Sequence, residues 1–337
     1  MNKKLAKIGK NTVCTLAIPV VVYVFLFALC KLTGHEGFGT GSDIQVILYN
    51  SIYSALLALA MAINLTSGRF DFSVGATIIL SIIVGGNIAK ELELGAIGLL
   101  LITMLIGALI GLVSGLVYTL LGLPPMVVSL GLAMIYEAIA FMYNSAKGVK
   151  LIGKNDMLVF SKMPWGVVVI VVVLVVMVIL WDFTRFGYNR RALVSGQKIA
   201  VDVGVNEKRN ALACYIIAGV LLGIAGCVYI SKYGTMSPET GLGSSSYFMS
   251  AFLPIFIGGA LAKYSSQPIG IFMGAVTQAF ITSALVCMGC SSSLINVLNG
   301  VIVMIFLIYT SNSYIFELKK LYKEKLARAQ EAARAQK

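Results

Sequence analysis

The sequence predicts an all-α, polytopic membrane protein with about ten transmembrane helices. Hydrophobic residues make up 58% of the 337 residues, and charged residues make up 12%. That charged share is about half of what a soluble domain carries. The apolar runs approach the roughly 20 residues that an α-helix needs to cross the hydrocarbon core. They are far longer than the roughly ten residues of an outer-membrane strand, so we expect a helical bundle.

The first predicted helix follows a basic tail. Residues 1–12 carry four lysines, and the apolar run 13–30 comes directly after this tail. No small-x-small cleavage pattern follows the run, which is therefore interpreted as an uncleaved first helix rather than a signal peptide. The other predicted spans are 44–64, 72–89, 95–121, 125–143, 165–182, 211–231, 248–262, 268–288 and 293–314. The runs 72–89 and 248–262 are short enough to be re-entrant or broken.

The distribution of Lys and Arg predicts the orientation of the chain. With the N-terminus inside, the inside segments hold most of the 26 Lys and Arg residues. Because cytoplasmic loops are enriched in these residues, both termini are predicted to be cytoplasmic. The expected organisation is a cytoplasmic tail at 1–12, one transmembrane domain at 13–315 and a basic cytoplasmic tail at 316–337. The expected location is a bacterial cytoplasmic membrane.

Two polar segments between the spans stand out. Residues 184–210 would lie inside the cell and carry six of the Lys and Arg residues. Residues 144–164 carry four lysines and would lie outside, against the usual preference. This second segment is either an exception with its own function or the sign of a miscounted span nearby.

Several function classes lack their usual residues. His35 is the single histidine, which removes His-based metal sites and His-containing catalytic triads. No G-x-x-x-x-G-K-[ST] segment is present, so the chain is not expected to hold ATP by that device. The net charge of +12 lies in loops and tails, where contact with membrane lipid and topology explain it better than nucleic acid does. We expect no metal, no cofactor and no catalysis on this chain.

Glycines recur at helical spacing in several spans. Gly107, Gly111 and Gly115 lie four residues apart, as do Gly219 with Gly223 and Gly270 with Gly274. Small residues at this spacing let helix backbones approach closely in lipid. We favour tight packing within one subunit over a dimer seam.

Glu137 is the ionisable residue that the prediction places inside a span. It could bind a solute, or it could lie near the outer end of its helix and reach water. Neutral polar side chains in the spans could line a path for a polyhydroxylated solute, or they could join helices through hydrogen bonds. The candidate path residues are Asn64, Ser73, Ser129, Tyr136, Glu137, Thr282 and Asn299.

A faint internal repeat divides the chain into two halves of five spans. Helix 44–64, the loop 65–71 and a run ending in Gly85-Gly86 are mirrored by helix 211–231, a Gly-rich loop and a run ending in Gly258-Gly259. Corresponding helices would point in opposite directions, as in inverted-repeat transporters. A chance match explains the echo equally well.

Four segments carry motifs that can be matched to one transporter family. The first runs from Ser67 to Gly75, where Asp71 follows the glycine at 68 and could cap a helix start. The second is the proline-led helix start 122–131. The third lies within 184–210, and the fourth lies within 257–274. The matching residues are Gly68, Asp71, Gly75, Pro125, Gly131, Thr184, Gly187, Ala200, Gly204, Val205, Gly258, Gly259, Gly270 and Gly274.

In this order the four segments resemble the ribose/galactose/xylose-type permeases of ABC transporters. The resemblance covers most of residues 44–310. The sequence departs from the family pattern at Arg69 and Phe70 in the first motif. It also departs at Pro254, and at residues 263–267, which replace a second glycine pair.

The resemblance implies the permease subunit of an ATP-driven importer. Two permease subunits, identical or different, would form the path for a small polar solute, a monosaccharide or sugar-like compound. An extracytoplasmic binding protein would deliver the solute, and a separate cytoplasmic ATPase would bind ATP and Mg. The alternative is a stand-alone secondary transporter, which the scarcity of ionisable residues in the spans disfavours.

The resemblance also implies a contact with the ATPase through a short helix in the loop 184–210. The candidate is 190–203, where small residues could dock into a cleft while Arg190, Arg191 and Lys198 pair with acids of the partner. The alternative is a solvated loop held inside by its charge. Lys147, Lys150 and Lys154 could receive acidic lobes of the binding protein, or contact lipid headgroups. The full set for the ATPase contact is Arg190, Arg191, Ala192, Gly196, Lys198, Ala200 and Gly204.

Overall fold

The computed structural model describes residues 2–35, 37–262, 264–305, 307–308 and 312, with side chains at all of these positions except 2–13 and 248. The predicted C-terminal tail at 316–337 and the residue at 263 lie outside the described residues. The described chain divides into two units, 1–289 and 290–337. The domain boundaries expected at 12 and 315 stay predictions.

Helices form nearly all of the first unit, as the composition predicts. They are α1 (Asn2–Leu32), α2 (Gly41–Leu65), α3 (Val74–Glu91), α4 (Gly95–Leu121), α5 (Pro125–Met142), α6 (Trp165–Val178), α7 (Arg185–Ser195), α8 (Gln197–Asp202), α9 (Glu207–Tyr233), α10 (Ser245–Met249), α11 (Phe252–Leu261) and α12 (Gln267–Cys287). A π-helical turn, Ile179–Phe183, continues α6. In the second unit, the helix α13 spans Ser292–Ile305.

Eight helices of the described chain are long and apolar enough to cross a membrane: α1, α2, α3, α4, α5, α6, α9 and α12. The span expected at 95–121 has the predicted bounds, and α3 is a continuous helix. The span expected at 248–262 is broken, because α10 and α11 are separated at residues 250–251. The span expected at 293–314 corresponds to the shorter α13 in the described residues. The membrane bundle is confirmed, with fewer long spans than the ten expected.

The helix ends follow from local sequence. The Thr40 side chain accepts a hydrogen bond from the backbone N–H of Asp43 and caps α2. Asn206 caps α9 in the same way through Arg209. Gly122, at φ +63°, ends α4 in the left-handed conformation that glycine adopts without strain. Pro125 then starts α5, where its missing N–H costs nothing.

Helices α4 and α9 pack through their glycines. A Cβ added at Gly219 would lie 2.1 Å from the carbonyl oxygen of Gly107, and one at Gly223 would lie 2.3 Å from that of Thr103. Gly274 meets the backbone of Pro254 in the same way. The glycine stripes therefore serve packing within one subunit, which confirms the favoured interpretation.

The packing of helices repeats between the two parts of the first unit. Helix α3 packs on α4 as α11 packs on α12, and α4 packs on α9 as α12 packs on α2. Helix α3 also contacts α9 as α11 contacts α2. The correspondence of α2, α3 and α4 with α9, α11 and α12 is the one that the sequence echo indicated.

Contacts between loops define the two ends of the first unit. At one end, β1 (Val149–Lys150) pairs antiparallel with β2 (Thr235–Met236), beside the C-terminal end of α3. We call this the hairpin end, although the two strands are connected through helices α6 to α9 and not by a turn. At the opposite end of α9, helices α7 and α8 lie between the C-terminal end of α6 and the N-terminal end of α9. We call this the coupling end.

We expect the substitution Gly219→Ala to lower the thermal unfolding midpoint of the detergent-purified chain, because its Cβ would collide with the Gly107 carbonyl and separate α4 from α9. The control is Gly131→Ala in α5, where nothing lies within 4 Å of the added Cβ. Both changes raise helix propensity by about 1 kcal/mol, so propensity cancels in the comparison. Equal midpoints for the two variants would contradict the packing role of Gly219.

Candidate functional site

Asp71 holds the turn between α2 and α3. Its carboxylate oxygen Oδ1 accepts hydrogen bonds from the backbone N–H of Ser73 at 2.9 Å and from the Ser73 hydroxyl at 2.6 Å. Both residues are buried. Gly68, at φ +73°, supplies the left-handed residue of the same turn. Asp71 therefore binds the residue that precedes α3, while no side chain caps the first N–H groups of α3 itself, and Ser73 is engaged within the turn.

Gly75 lets a second loop approach the first turn of α3. A Cβ at this position would lie 1.9 Å from the carbonyl oxygen of Ser244, which precedes α10. No larger residue fits without moving this backbone. The first turn of α3 and the loop at 234–244 therefore meet inside the bundle.

Glu137 anchors the second loop. Its carboxylate accepts the backbone N–H groups of Leu242 and Ser244, each at 2.9 Å, and the residue is 3% exposed. The alternative of a side chain that reaches water is wrong, because α5 buries Glu137 against this loop. Both carboxylate oxygens are already engaged, so the geometry also argues against a free solute ligand. The two backbone N–H groups offset the free-energy cost of burying the charge of this carboxylate.

Ser129 and Tyr136 connect α5 to its neighbours. The Ser129 hydroxyl donates to the carbonyl oxygen of Phe70 at 3.4 Å, and the Tyr136 hydroxyl lies 2.7 Å from that of Ser114 in α4. These contacts correspond to the alternative in which polar residues join helices. Ser129 thus lies beside the turn at 66–73 and Glu137 beside the loop at 234–244, which we call the two inner loops, whereas Tyr136 contacts α4.

The other predicted path residues lie elsewhere. Asn64 is buried near the C-terminal end of α2, and its side-chain oxygen has no hydrogen-bond partner. Thr282 is half-buried on α12, and Asn299 belongs to α13 in the second unit. A polar cleft of about 340 Å³ at the hairpin end contains none of the seven residues; Gln45, Tyr49, Ile52, Phe160, Ser161, Lys162, Met163 and Gly166 line it.

Two short helices replace the single one expected at 190–203. Thr184 caps α7 by accepting the N–H of Gly187, and Gly196 separates α7 from α8. Ala192 is half-buried, and Ala200 is buried, with its carbonyl accepting the N–H of Val205. Ala200 therefore presents little side-chain surface to solvent in this chain.

Arg190 is the largest correction to the predicted coupling contact. It is 3% exposed and donates hydrogen bonds to the Thr66 hydroxyl and to the Gln267 side chain, the latter at 3.2 Å. Its guanidinium carbon lies 4.2 Å from the ring centre of Trp181. Burial lowers the pKa of Arg190 to about 10, so it remains a cation at neutral pH. The Arg190 side chain is buried within the subunit and is not free to pair with a partner's acids.

The exposed surface of the coupling end contains apolar residues that the sequence reasoning missed. Ile199 and Val203 in and after α8 are 72% and 75% exposed. Lys198 and Gly204 are exposed beside them, and Gly204 has φ +97°. The signal available in the sequence was a pair of branched apolar residues four positions apart in a polar loop.

Arg191 and Lys154 both form ion pairs within the chain. Arg191 donates to Asp182 at 3.3 Å, and both side chains remain partly exposed. Lys154 lies 3.5 Å from Glu93 at the hairpin end. Lys147, just before β1, and Lys150, within β1, are both exposed. Of the three lysines predicted to contact a binding protein, Lys147 and Lys150 are more accessible to such a partner than Lys154 is.

Gly258 of the late glycine motif has a packing role, and no such role is found for Gly259. A Cβ at Gly258 would lie 2.7 Å from the backbone nitrogen of Ile271, so this glycine allows α11 to pack on α12. A Cβ added at Gly259 or at Gly131 would meet no atom within 4 Å.

Within the part of the chain that the structure describes, no group of three or more His, Cys, Asp or Glu residues could hold a metal ion.

Comparison with known proteins places these features in a family. The family model described as "Branched-chain amino acid transport system / permease component" matches residues 44–308. The chain is 28% identical over 268 residues to the D-allose transport system permease protein AlsC of Escherichia coli (strain K12), covering 76% of this chain and 81% of that protein. It is 24% identical over 303 residues to the fructose import permease protein FrcC of Rhizobium meliloti, covering 86% and 83%. No solved structure matches significantly.

We expect Arg190→Met to lower the free energy of unfolding by about 2–4 kcal/mol, because it removes charged hydrogen bonds and leaves buried partners unsatisfied. The matched control is Arg191→Met, whose partly exposed ion pair contributes about 0–1 kcal/mol. Thermal and denaturant unfolding in detergent measure both. Equal losses would contradict the inward placement of Arg190.

Proposed function

The chain belongs to the branched-chain amino acid transport system permease family, and from that premise we propose that it imports a monosaccharide-like solute as the permease subunit of an ABC importer. The observation that carries the proposal is the family match over 44–308, which includes every long span except α1. The relatives named for D-allose and fructose support the class of solute. Members of this family are non-catalytic, so ATP and Mg belong to a separate ATPase.

The interior of the bundle supports an externally driven importer over a proton-coupled carrier. A coupling carboxylate must gain and lose a proton during each cycle. Glu137 instead accepts two backbone N–H groups and holds the loop before α10. Protonation would weaken these bonds, so the residue serves structure better than coupling.

The ATPase would dock at the coupling end. The exposed Ile199 and Val203 can enter an apolar cleft, and Lys198 can pair with an acid at its rim. Arg190 in α7 is hydrogen-bonded to the end of α2 and to the start of α12. A displacement of α8 by the ATPase would therefore be transmitted to the ends of these two spans. This end would face the cytoplasm, since the loop 184–210 is rich in Lys and Arg.

The hairpin end would then face the extracytoplasmic binding protein. Lys147 and Lys150 provide exposed positive charge there, which can steer an acidic surface in a salt-dependent manner. A second permease subunit, identical or different, would complete the solute path, consistent with the scattered positions of the candidate polar residues. The chain would lie in the bacterial cytoplasmic membrane with both termini in the cytoplasm.

Reconstitution tests the proposed function. We expect uptake of a labelled monosaccharide into proteoliposomes only when the chain is combined with its ATPase, its binding protein and internal ATP. Uptake by this chain alone, without ATP, would instead identify a stand-alone secondary transporter. A screen of D-allose, fructose and galactose against the purified binding protein would define the solute.

The double substitution Ile199→Asp with Val203→Asp should abolish co-purification of the ATPase, because two charges would enter an apolar contact. The variant should still insert and unfold at the wild-type temperature, since both side chains are exposed. The control is Ile152→Asp at the hairpin end, where the side chain is 74% exposed. Retained ATPase binding in the double variant would refute α8 as the docking helix.

A further inference from the structure

Two arginine side chains at the coupling end are buried without a carboxylate partner. Arg69, in the turn after α2, and Arg190, in α7, are each 3% exposed. The ion pairs found among the described residues join Lys154 to Glu93 and Arg191 to Asp182. Neither buried guanidinium therefore has a carboxylate oxygen within 4.0 Å in that part of the chain.

The partners of these arginines are neutral and leave some donors unused. Arg190 donates to Thr66 and Gln267, and Arg69 donates to the sulfur of Cys214 at 3.4 Å. Three buried nitrogens have no acceptor: Nε of Arg69, Nε of Arg190 and Nε1 of Trp181. All three are donors, and the side-chain oxygen of Asn64 near the end of α2 is also buried without a partner, so unpaired donors outnumber unpaired acceptors at this place.

These donors belong to one neighbourhood. The Arg190 guanidinium lies over the ring of Trp181 at 4.2 Å from its centre. Arg190 donates to Thr66, which lies in the same turn as Arg69, and Arg69 reaches Cys214 of α9. The ends of α2, α6, α7, α9 and α12 thus surround two cations and three unused N–H groups.

The acids nearest to this cluster are already engaged. Asp182 acts electrostatically on Arg190, but its oxygens accept from Arg191 and from the Ser266 hydroxyl. Asp71 accepts from the backbone and side chain of Ser73. An uncompensated buried charge is strongly unfavourable, and native proteins pair such charges or supply an ion.

We propose that Arg69, Arg190 and Trp181 form a binding site for a small inorganic anion, chloride or phosphate. The site would be enclosed, since each of the three residues is at most 3% exposed. An atomic or tetrahedral inorganic anion can accept from several N–H groups at once, which suits a cluster of buried donors. The bound anion would lock α7 onto the ends of α2 and α12, the joint through which α8 acts.

Anion-dependent stability tests this site. The full-length chain in detergent is heated in sodium chloride, sodium phosphate or sodium gluconate at equal ionic strength. We expect the unfolding midpoint to rise by several degrees in chloride or phosphate relative to gluconate, and to saturate with concentration. The better anion identifies the ligand. Identical midpoints in the three salts would mean that the donors are met by water, and would overturn the proposal.

Matched variants separate site binding from general salt effects. Arg191→Met, which leaves the cluster intact, should keep the anion dependence, and Arg69→Met should lose it. Trp181→Phe keeps the ring under Arg190 and removes one donor, so it should raise the half-saturating anion concentration several-fold. Unchanged anion dependence in both Arg69→Met and Trp181→Phe would refute the assignment.

A fluorescence measurement avoids variants that fold poorly. The chain contains two tryptophans, and Trp165 lies at the other end of α6, so Trp165→Phe leaves Trp181 as the only emitter. Bromide bound at the site should quench Trp181 in a saturable manner, and chloride or phosphate should relieve the quenching. Absent or non-saturating quenching would contradict the site, whatever the outcome of the transport assays.

Discussion

Irregular backbone inside the bundle must find its hydrogen-bond partners within the protein, and this constraint shapes the interior of the molecule. Chain segments inside a membrane bundle cannot rely on bulk water to satisfy their N–H and C=O groups. The loop before α10 meets the requirement through Glu137, which accepts the N–H groups of Leu242 and Ser244. The turn before α3 meets it through Asp71. Both carboxylates are thereby used to hold backbone.

The two inner loops are positioned by the helices that carry them. Gly75 allows the carbonyl of Ser244 to lie against α3, and the glycines of α4 and α9 allow those helices to approach at backbone distance. Because α2, α3 and α4 pack as α9, α11 and α12 do, each half presents one such loop to the interior. A path for a solute would then depend on how these loops move relative to one another, and on a second subunit.

The coupling end combines a rigid inner layer with an adaptable outer one. The inner layer contains Arg190, whose contacts with Thr66, Gln267 and Trp181 tie α7 to three spans. The outer layer is α8, which presents Ile199 and Val203 to solvent. Such a division suits a surface that receives a force and transmits it, because exposed apolar side chains bind while buried polar contacts resist deformation. The proposed anion would reinforce the inner layer by matching its unpaired positive charge.

Composition and local patterns determined the membrane bundle and the positions of most spans, because the length of an apolar run is a property of neighbouring residues. The break between α10 and α11, the inward placement of Arg190 and the anchoring by Glu137 were decided by the tertiary structure. Each depends on a residue distant in the chain: Glu137 on Ser244, Arg190 on Gln267. A polar residue's sequence neighbours do not reveal whether its partner is water, a second protein or a backbone N–H a hundred residues away.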